Sequence, residues 1–187
     1  MNILRTRAFV PRRSKLVVGF PPSPLSFLPT SQKNVSRYMS TDIPQSFDAV
    51  EKAQVFASFF EKGQPLWEQI EKLAGSSLEA TPTHILDLGC GPGEPACHFA
   101  NKYRSVPVLA SDIAKPMVDL AEKRAKAKGL TNVKCMVLDM CDLSALDDNS
   151  YDLVISDHAY QFVPDKPKAL AETYRVMKPG TFDLIRC

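Results

Sequence analysis

The most chemically informative stretch of the chain is Ile85-Leu86-Asp87-Leu88-Gly89-Cys90-Gly91-Pro92-Gly93, an apolar run that ends in three closely spaced glycines and leads into a helical pattern at Glu94. Glycine serves where a chain must turn sharply or let a ligand lie against bare backbone. A helix that begins there directs its first amides at that ligand. The expected chemistry is the seating of a small anionic or zwitterionic cofactor. Spacing narrows the choice. The dinucleotide fingerprint G-x-G-x-x-G, counted from Gly89, puts its third glycine at position 94, which is Glu94 and would set a negative charge against a pyrophosphate. The pattern here is instead D-x-G-x-G-x-G. An acid at position 87 suits a cationic group better than a diphosphate.

S-adenosylmethionine meets that description, with an ammonium, a sulfonium and no phosphate. The segment from His84 to Ala96 resembles, at nearly every position, the first motif of the class I (Rossmann-like) S-adenosylmethionine-dependent methyltransferases, in the small-molecule branch that includes ubiquinone/menaquinone and sterol-type enzymes. The resemblance runs from about residue 80 to residue 180. It implies methyl transfer from S-adenosylmethionine to a small-molecule acceptor, with Asp87, Gly89, Cys90, Gly91 and Gly93 binding the cofactor. A second acid, Asp112, ends the next apolar run about 20 residues on, where an acid can accept from both ribose hydroxyls. The same residue can act as a plain N-cap for the helix that follows. The resemblance assigns Asp112 to the ribose and gives Ile113 the adenine face, with Met117 beside it. It gives Asp139 the adenine amino group and the amide of Met140 the ring, although Asp142 competes with Asp139. It gives Ser156 the methionine part. Thr181 departs from the family, in which a second glycine usually follows the one at Gly180.

Methyl transfer is an in-line displacement at a carbon already activated by a sulfonium, so the protein's main work is alignment and exclusion of water. A base helps where the acceptor is a phenol, an amine or a carbon acid. Asp157 and His158, past the fourth apolar run, are the catalytic candidates, and a polar loop without chemistry is the plainer reading of the same pair. His98 falls within a helical stretch and His84 at a strand start, both read as structural. The alternative function is a catalytically silent remnant that binds the cofactor or a partner.

These residues need a frame. From His84 onward short apolar runs alternate with helical stretches: strands over 85–88, 106–110, 133–138 and 151–156 and from 182, helices over 94–103, 115–128 and 165–177. Strict alternation predicts an α/β fold, a Rossmann-like doubly wound parallel sheet occupying 81–187. Ahead of it, Phe47, Val50, Val55, Phe56, Phe59 and Phe60 fall mostly at helical spacing, and Leu66, Trp67, Ile70 and Leu73 share a side of a second helix. They predict an N-terminal helical cap over 41–80. Phe56, Phe59, Phe60 and Trp67 either line an apolar acceptor pocket or pack the cap's own core. The resembling fold has two further strands after the fifth, the last of them antiparallel. The domain is therefore expected to be incomplete at its C-terminal end, with strand five an open apolar edge. A truncated gene product is the favoured account, ahead of self-association through that edge or a non-catalytic remnant.

Composition sets the remaining bounds. Among 187 residues, 44% apolar and 24% charged is ordinary for a globular protein. Charge is unevenly placed. Residues 1–40 carry Arg5, Arg7, Arg12, Arg13, Lys15, Lys33 and Arg37 and no acid, leaving 16 of the 23 basic residues against all 21 acids in the remainder. A mildly acidic domain gives no basic field for nucleic acid. The Arg-, Ser- and Pro-rich segment 1–40 reads as a transit peptide ending near Arg37-Tyr38-Met39-Ser40, mitochondrial in preference to plastid, with an uncleaved tail on a cytoplasmic protein as the other option. No apolar run is long enough to span a membrane. Cys90, Cys97, Cys135, Cys141 and Cys187 form no C-x-x-C pair and no metal-ligand pattern, so they read as structural thiols in a reducing compartment, and no metal is expected.

Overall fold

Every residue of Ile85–Leu88 is buried, which requires cover on both faces of the strand. The computed structural model supplies it and describes residues 15–18, 51, 53, 54 and 81–186. In chain order the elements are β1 (Lys15–Val18), β2 (Ile85–Leu88), α1 (Glu94–Lys102), β3 (Val108–Asp112), α2 (Lys115–Ala127), β4 (Val133–Val137), β5 (Tyr151–Asp157), a 3-10 turn (Tyr160–Phe162), α3 (Lys166–Val176) and β6 (Met177–Arg186). The sheet runs β1-β6-β5-β2-β3-β4, with every pairing parallel. The chain winds outward from β2 through β3 to β4, then crosses back to lay β5 against the other side of β2. That reversal is the topological switch point at which open α/β sheets bind ligands.

Side-chain alternation divides the core. Ile85, Val108, Ala110, Leu153 and Ile155 face α1 and α2, where Phe99, Ala100, Ala121 and Ala125 are buried. Leu86, Leu88, Leu109 and Val154 face the other layer, with Leu143, Leu146, Ala169 and Val176. Helix α3 starts on Asp165, whose side chain accepts from the amide of Lys168. Arg175 near its end donates to the carbonyls of Leu143 and Leu146 and to Glu172 and Asp148, tying α3 to the connection after β4.

Three expectations need correction. Strand β3 begins at Val108 rather than 106, because Pro107 has no N–H to give the ladder and its carbonyl instead accepts from Ile85. Strand β6 begins at Met177 rather than 182. It pairs Met177 with Tyr151 and Phe182 with Leu153, and the intervening bulge contains Gly180 at φ 83°. The edge expected to be open is covered: Lys15–Val18, part of the segment read as a transit peptide, pairs in parallel with Phe182–Ile185. The apolar, partly β-branched run Leu16-Val17-Val18 has the composition of a strand, and β6 offers it unpaired backbone groups. The cap over 41–80 lies outside the described residues apart from positions 51, 53 and 54, all helical, as do Phe56, Phe59, Phe60 and Trp67. Ala53 is fully buried in a small cluster with Ala114 and Met117.

Candidate cofactor cleft

The carboxyl ends of β2, β3, β4 and β5 converge on one cleft. Its empty space is about 1050 Å³, part of it open to solvent. The walls are Gly89, Cys90, Gly91 and Pro92 from the loop, Glu94 and Pro95 from α1, and Asp112, Ile113, Ala114 and Met117 past β3. Opposite stand Leu138, Asp139 and Met140 after β4, and Asp157, His158, Ala159, Phe162, Val163 and Pro164 at and past the end of β5.

The loop is built to be bare. Gly89 has φ 71°, and a Cβ there would stand 2.2 Å from Ala159 Cβ and 2.8 Å from Met140 Cε. Only glycine lets the connection after β5 close over this turn. Gly93 (φ 91°) serves helix packing instead, since a Cβ there would meet Ala121 Cβ at 2.7 Å and Ala121 Cα at 2.8 Å. It is not among the residues that wall the cleft, and it seats α1 against α2.

The amides of the loop are already engaged. Cys90 N donates to Ser111 O, Gly91 N to Asp112 Oδ2, Gly93 N to Cys90 O and Cys97 N to Gly93 O. Ala96 N donates to Asp87 Oδ2, and Pro95 has no N–H. Much of the expected cradle of helix amides facing the ligand is therefore spent inside the protein. This argues against a phosphate more directly than Glu94 does. Glu94 is buried, and its Oε1 accepts from Arg124 and Lys128, each at 2.9 Å, so its charge is compensated.

Asp87 is fully buried and is not among the residues that wall the cleft. Side-chain parity explains it: Asp87 shares a face with Ile85, toward α1, where it caps the helix through Ala96. Its Oδ1 has no hydrogen-bond partner among the described residues. Burial pushes its carboxyl well above the ordinary range, and the charges of Asp157 and Asp112 push the same way, against the lowering effect of the Ala96 amide. Ser156 is likewise engaged inside the fold. It is buried on the opposite face, and its hydroxyl donates to Leu88 O at 2.8 Å, tying β5 to β2 outside the cleft.

The other predicted residues meet in the cleft. Asp112 accepts from Gly91 N through Oδ2 and from Ala114 N through Oδ1, both at 2.9 Å, so it serves as the turn cap before α2 and also stands in the cleft wall. Each of its oxygens keeps a lone pair for a ligand hydroxyl. Burial raises its carboxyl, while amides from Ala114, Gly91 and Ile113 hold it back. Ile113 leaves 55% of its surface exposed beside Asp112. An apolar side chain so uncovered in a concave wall fits the flat face of a base. Asp139 caps its own turn through Cys141 N and lines the wall with Met140, whereas the competing Asp142 does not line it. Cys90 lines the loop, and burial pushes its thiol well up, so it is an inert wall. His84 and His98 lie outside the wall. Ala159, Phe162, Val163 and Pro164 are site residues that the sequence patterns do not single out, and the aromatic-apolar run after β5 is the signal that could have found them.

The residues present fit S-adenosylmethionine. The loop is bare where a ligand would lie, the exposed Ile113 is paired with an acid, and no Lys or Arg among the described residues lines the cleft. Among the described residues no His, Cys, Asp and Glu group is placed to hold a metal ion, and no helix is long and apolar enough to cross a membrane.

Comparison with known proteins agrees with this geometry. Residues 86–184 match the family model described as a methyltransferase domain. The chain is 35% identical over 104 residues to the demethylmenaquinone methyltransferase of Thermus thermophilus, covering 56% of this chain and 46% of that one. It is 34% identical over 108 residues to the ajmaline N-methyltransferase of Rauvolfia serpentina, covering 57% and 36%. A solved S-adenosylmethionine-dependent methyltransferase from Aquifex aeolicus superposes with a TM-score of 0.54 at 25% identity, over 59% of this chain and 58% of that one. The chain spans less than half the length of these two curated relatives. The family match takes in more than half of the chain, which therefore belongs to the methyltransferase domain family of Rossmann-like S-adenosylmethionine-dependent proteins.

Proposed function

We propose that the protein transfers a methyl group from S-adenosylmethionine to a small-molecule acceptor bound in the cleft. The observation that carries this reading is the cleft itself: a bare glycine turn at the switch point, walled by acids and an exposed isoleucine, with several of its amides committed internally. In this reading Asp112 holds the ribose hydroxyls, Ile113, Met117 and Met140 enclose the base, and Asp139 takes its amino group. Gly89, Cys90 and Gly91 lie along the methionine part. When bound, the cofactor supplies an electrophilic methyl carbon. The chain's own residues then orient the acceptor against it and exclude water.

Calorimetry with S-adenosylmethionine, and with NAD as a control, tests the binding. Tight binding of the first alone is expected, and no binding of S-adenosylmethionine would sink the proposal. Transfer of labelled methyl to a metabolite extract then separates an enzyme from a silent binding module. We further propose that residues 1–40 direct the protein to mitochondria. Import followed by N-terminal sequencing tests this. Cleavage near Ser40 would remove β1 and leave β6 as the sheet edge.

A further inference from the structure

The placement of His158 carries an inference about the acceptor, and it rests on the methyl-transfer reading above. His158 is the imidazole that lines the cleft among the described residues, and its backbone is left-handed, with φ 55°. Left-handed backbone at a non-glycine residue is uncommon and clusters where a side chain must be aimed. The turn that aims it is fastened twice. Gln161 donates to the His158 carbonyl at 3.2 Å, and the Tyr160 hydroxyl is hydrogen-bonded to buried Thr173 of α3. Beside it the wall is apolar: Ala159, Phe162, Val163 and Pro164.

The charges around this imidazole restrict what it can serve. The other titratable groups that share the cleft are Asp157 from β5, Asp139 from the segment after β4, Asp112 from β3, the Cys90 thiol of the loop, which burial keeps protonated, and Glu94 from α1, the last already paired with Arg124 and Lys128. No described lysine or arginine lines it. A carboxylate acceptor would enter this field with no described lysine or arginine of the cleft to pair with. It would also have no use for a base, being ionised at neutral pH. A phenol or an amine suffers neither objection.

We infer that His158 is the general base for an acceptor that is a phenol or an amine and not a carboxylic acid. The proton leaves the phenol's O–H, or the N–H of the amine's ammonium form, for the imidazole. The freed electron pair forms the bond to the methyl carbon. The breaking carbon–sulfur bond leaves its pair on sulfur, giving a neutral thioether, and the imidazolium returns its proton to solvent.

The test uses the full chain and labelled S-adenosylmethionine with a metabolite extract. Label should enter products that survive alkali, as methylated amines and phenol ethers do. Alkali-labile label marks methyl esters and overturns the inference while leaving methyl transfer standing. His158→Asn and His158→Gly both tolerate the left-handed backbone. Both should lose about 10²- to 10⁴-fold in turnover, keep the cofactor affinity within about twofold, and lose the acid limb of the pH–rate profile, with exogenous imidazole restoring part of the activity of His158→Gly. Unchanged turnover in both overturns the inference. A readout without turnover is the His158 imidazole resonance in protein saturated with S-adenosylhomocysteine. It should shift on adding benzylamine or 4-methylphenol and stay still with malonate. A shift with malonate alone, or with none of the three, overturns the inference. Cofactor binding without any label transfer defeats the methyl-transfer reading itself, and the inference falls with it.

Discussion

The contact between Gly89 and Ala159 makes the cleft, and it can be taken apart quantitatively. Gly89→Ala has two costs. Left-handed backbone at φ 71° costs an alanine roughly 1–2 kcal/mol. The new Cβ, 2.2 Å from Ala159 Cβ, adds an overpacking cost of about 1–3 kcal/mol. The two sum to roughly 2–5 kcal/mol, a large share of a typical domain's stability. Met140 Cε, at 2.8 Å, is the far end of a flexible side chain and can swing away, whereas Ala159 has no such freedom. Ala159→Gly removes the clashing atom and leaves its Cα at 3.7 Å, an ordinary contact. The double variant should therefore recover the steric part and keep the backbone part, a favourable coupling of about 1–3 kcal/mol. Gly129→Ala is the control. Its φ is 62° with nothing within 4 Å of the added Cβ, so it should show the backbone cost alone. Urea denaturation of the parent and the four variants gives the cycle. A coupling below about 0.5 kcal/mol, or a Gly89→Ala cost no larger than that of Gly129→Ala, would refute the claim that this glycine exists to let the turn after β5 close.

Other substitutions follow the same logic. Asp87 has a folded-state carboxyl raised by burial, so it binds its proton more tightly folded than unfolded, and its contribution to stability falls as pH rises from about 4 through the raised value. Asp87→Asn keeps an acceptor for Ala96 and removes the charge. Urea melts at a series of pH values should show its stability gaining on the parent as pH rises, and a constant difference would contradict the buried carboxyl. Asp112→Ala should weaken S-adenosylmethionine binding by at least about 100-fold, equivalent to two charge-assisted hydrogen bonds at ~1.5 kcal/mol each, and unchanged affinity in calorimetry would remove it from the ribose role. Arg175→Ala strands the carbonyls of Leu143 and Leu146 and should cost about 1–3 kcal/mol in urea melts, a loss that Arg175→Lys should only partly restore because a single ammonium cannot replace the guanidinium fork.

The sequence is legible wherever a pattern repeats. Alternating apolar runs locate β2 to β5 and the three helices to within two residues at most ends, and the acid at the end of β3 and the run after β4 fall in the cleft. It is illegible where a motif letter does not say which way a side chain points. Asp87 and Ser156 belong to the motifs that surround the ligand, yet both are turned into the layers of the fold. Ile85 and Asp87 share one face of β2 by simple alternation, so parity carries the direction of Asp87 where the motif does not. The placement of Lys15–Val18 on β6 is hidden for a different reason. Composition assigns the whole of 1–40 to one class, and a four-residue strand inside it leaves too weak a local signal to stand against that background.

The committed amides are what separate this cleft from the anion sites that share its topology. A helix that opens toward a cleft normally offers free N–H groups and a positive end, and phosphate is the natural guest. Here a buried carboxyl at Asp87 takes the Ala96 amide, Pro95 has no N–H to offer, and Asp112 takes the amide of Gly91. Each of these steps removes a donor for an anion, and Asp112 also places negative charge at the wall. The same strand–turn–helix geometry is thereby turned from a site that attracts phosphate into one whose field favours a cation. That inversion arises from an acid in the last half of β2 and an acid at the tip of β3. For this reason the D-x-G-x-G-x-G spacing carries chemical information even though its first residue never reaches the cleft wall.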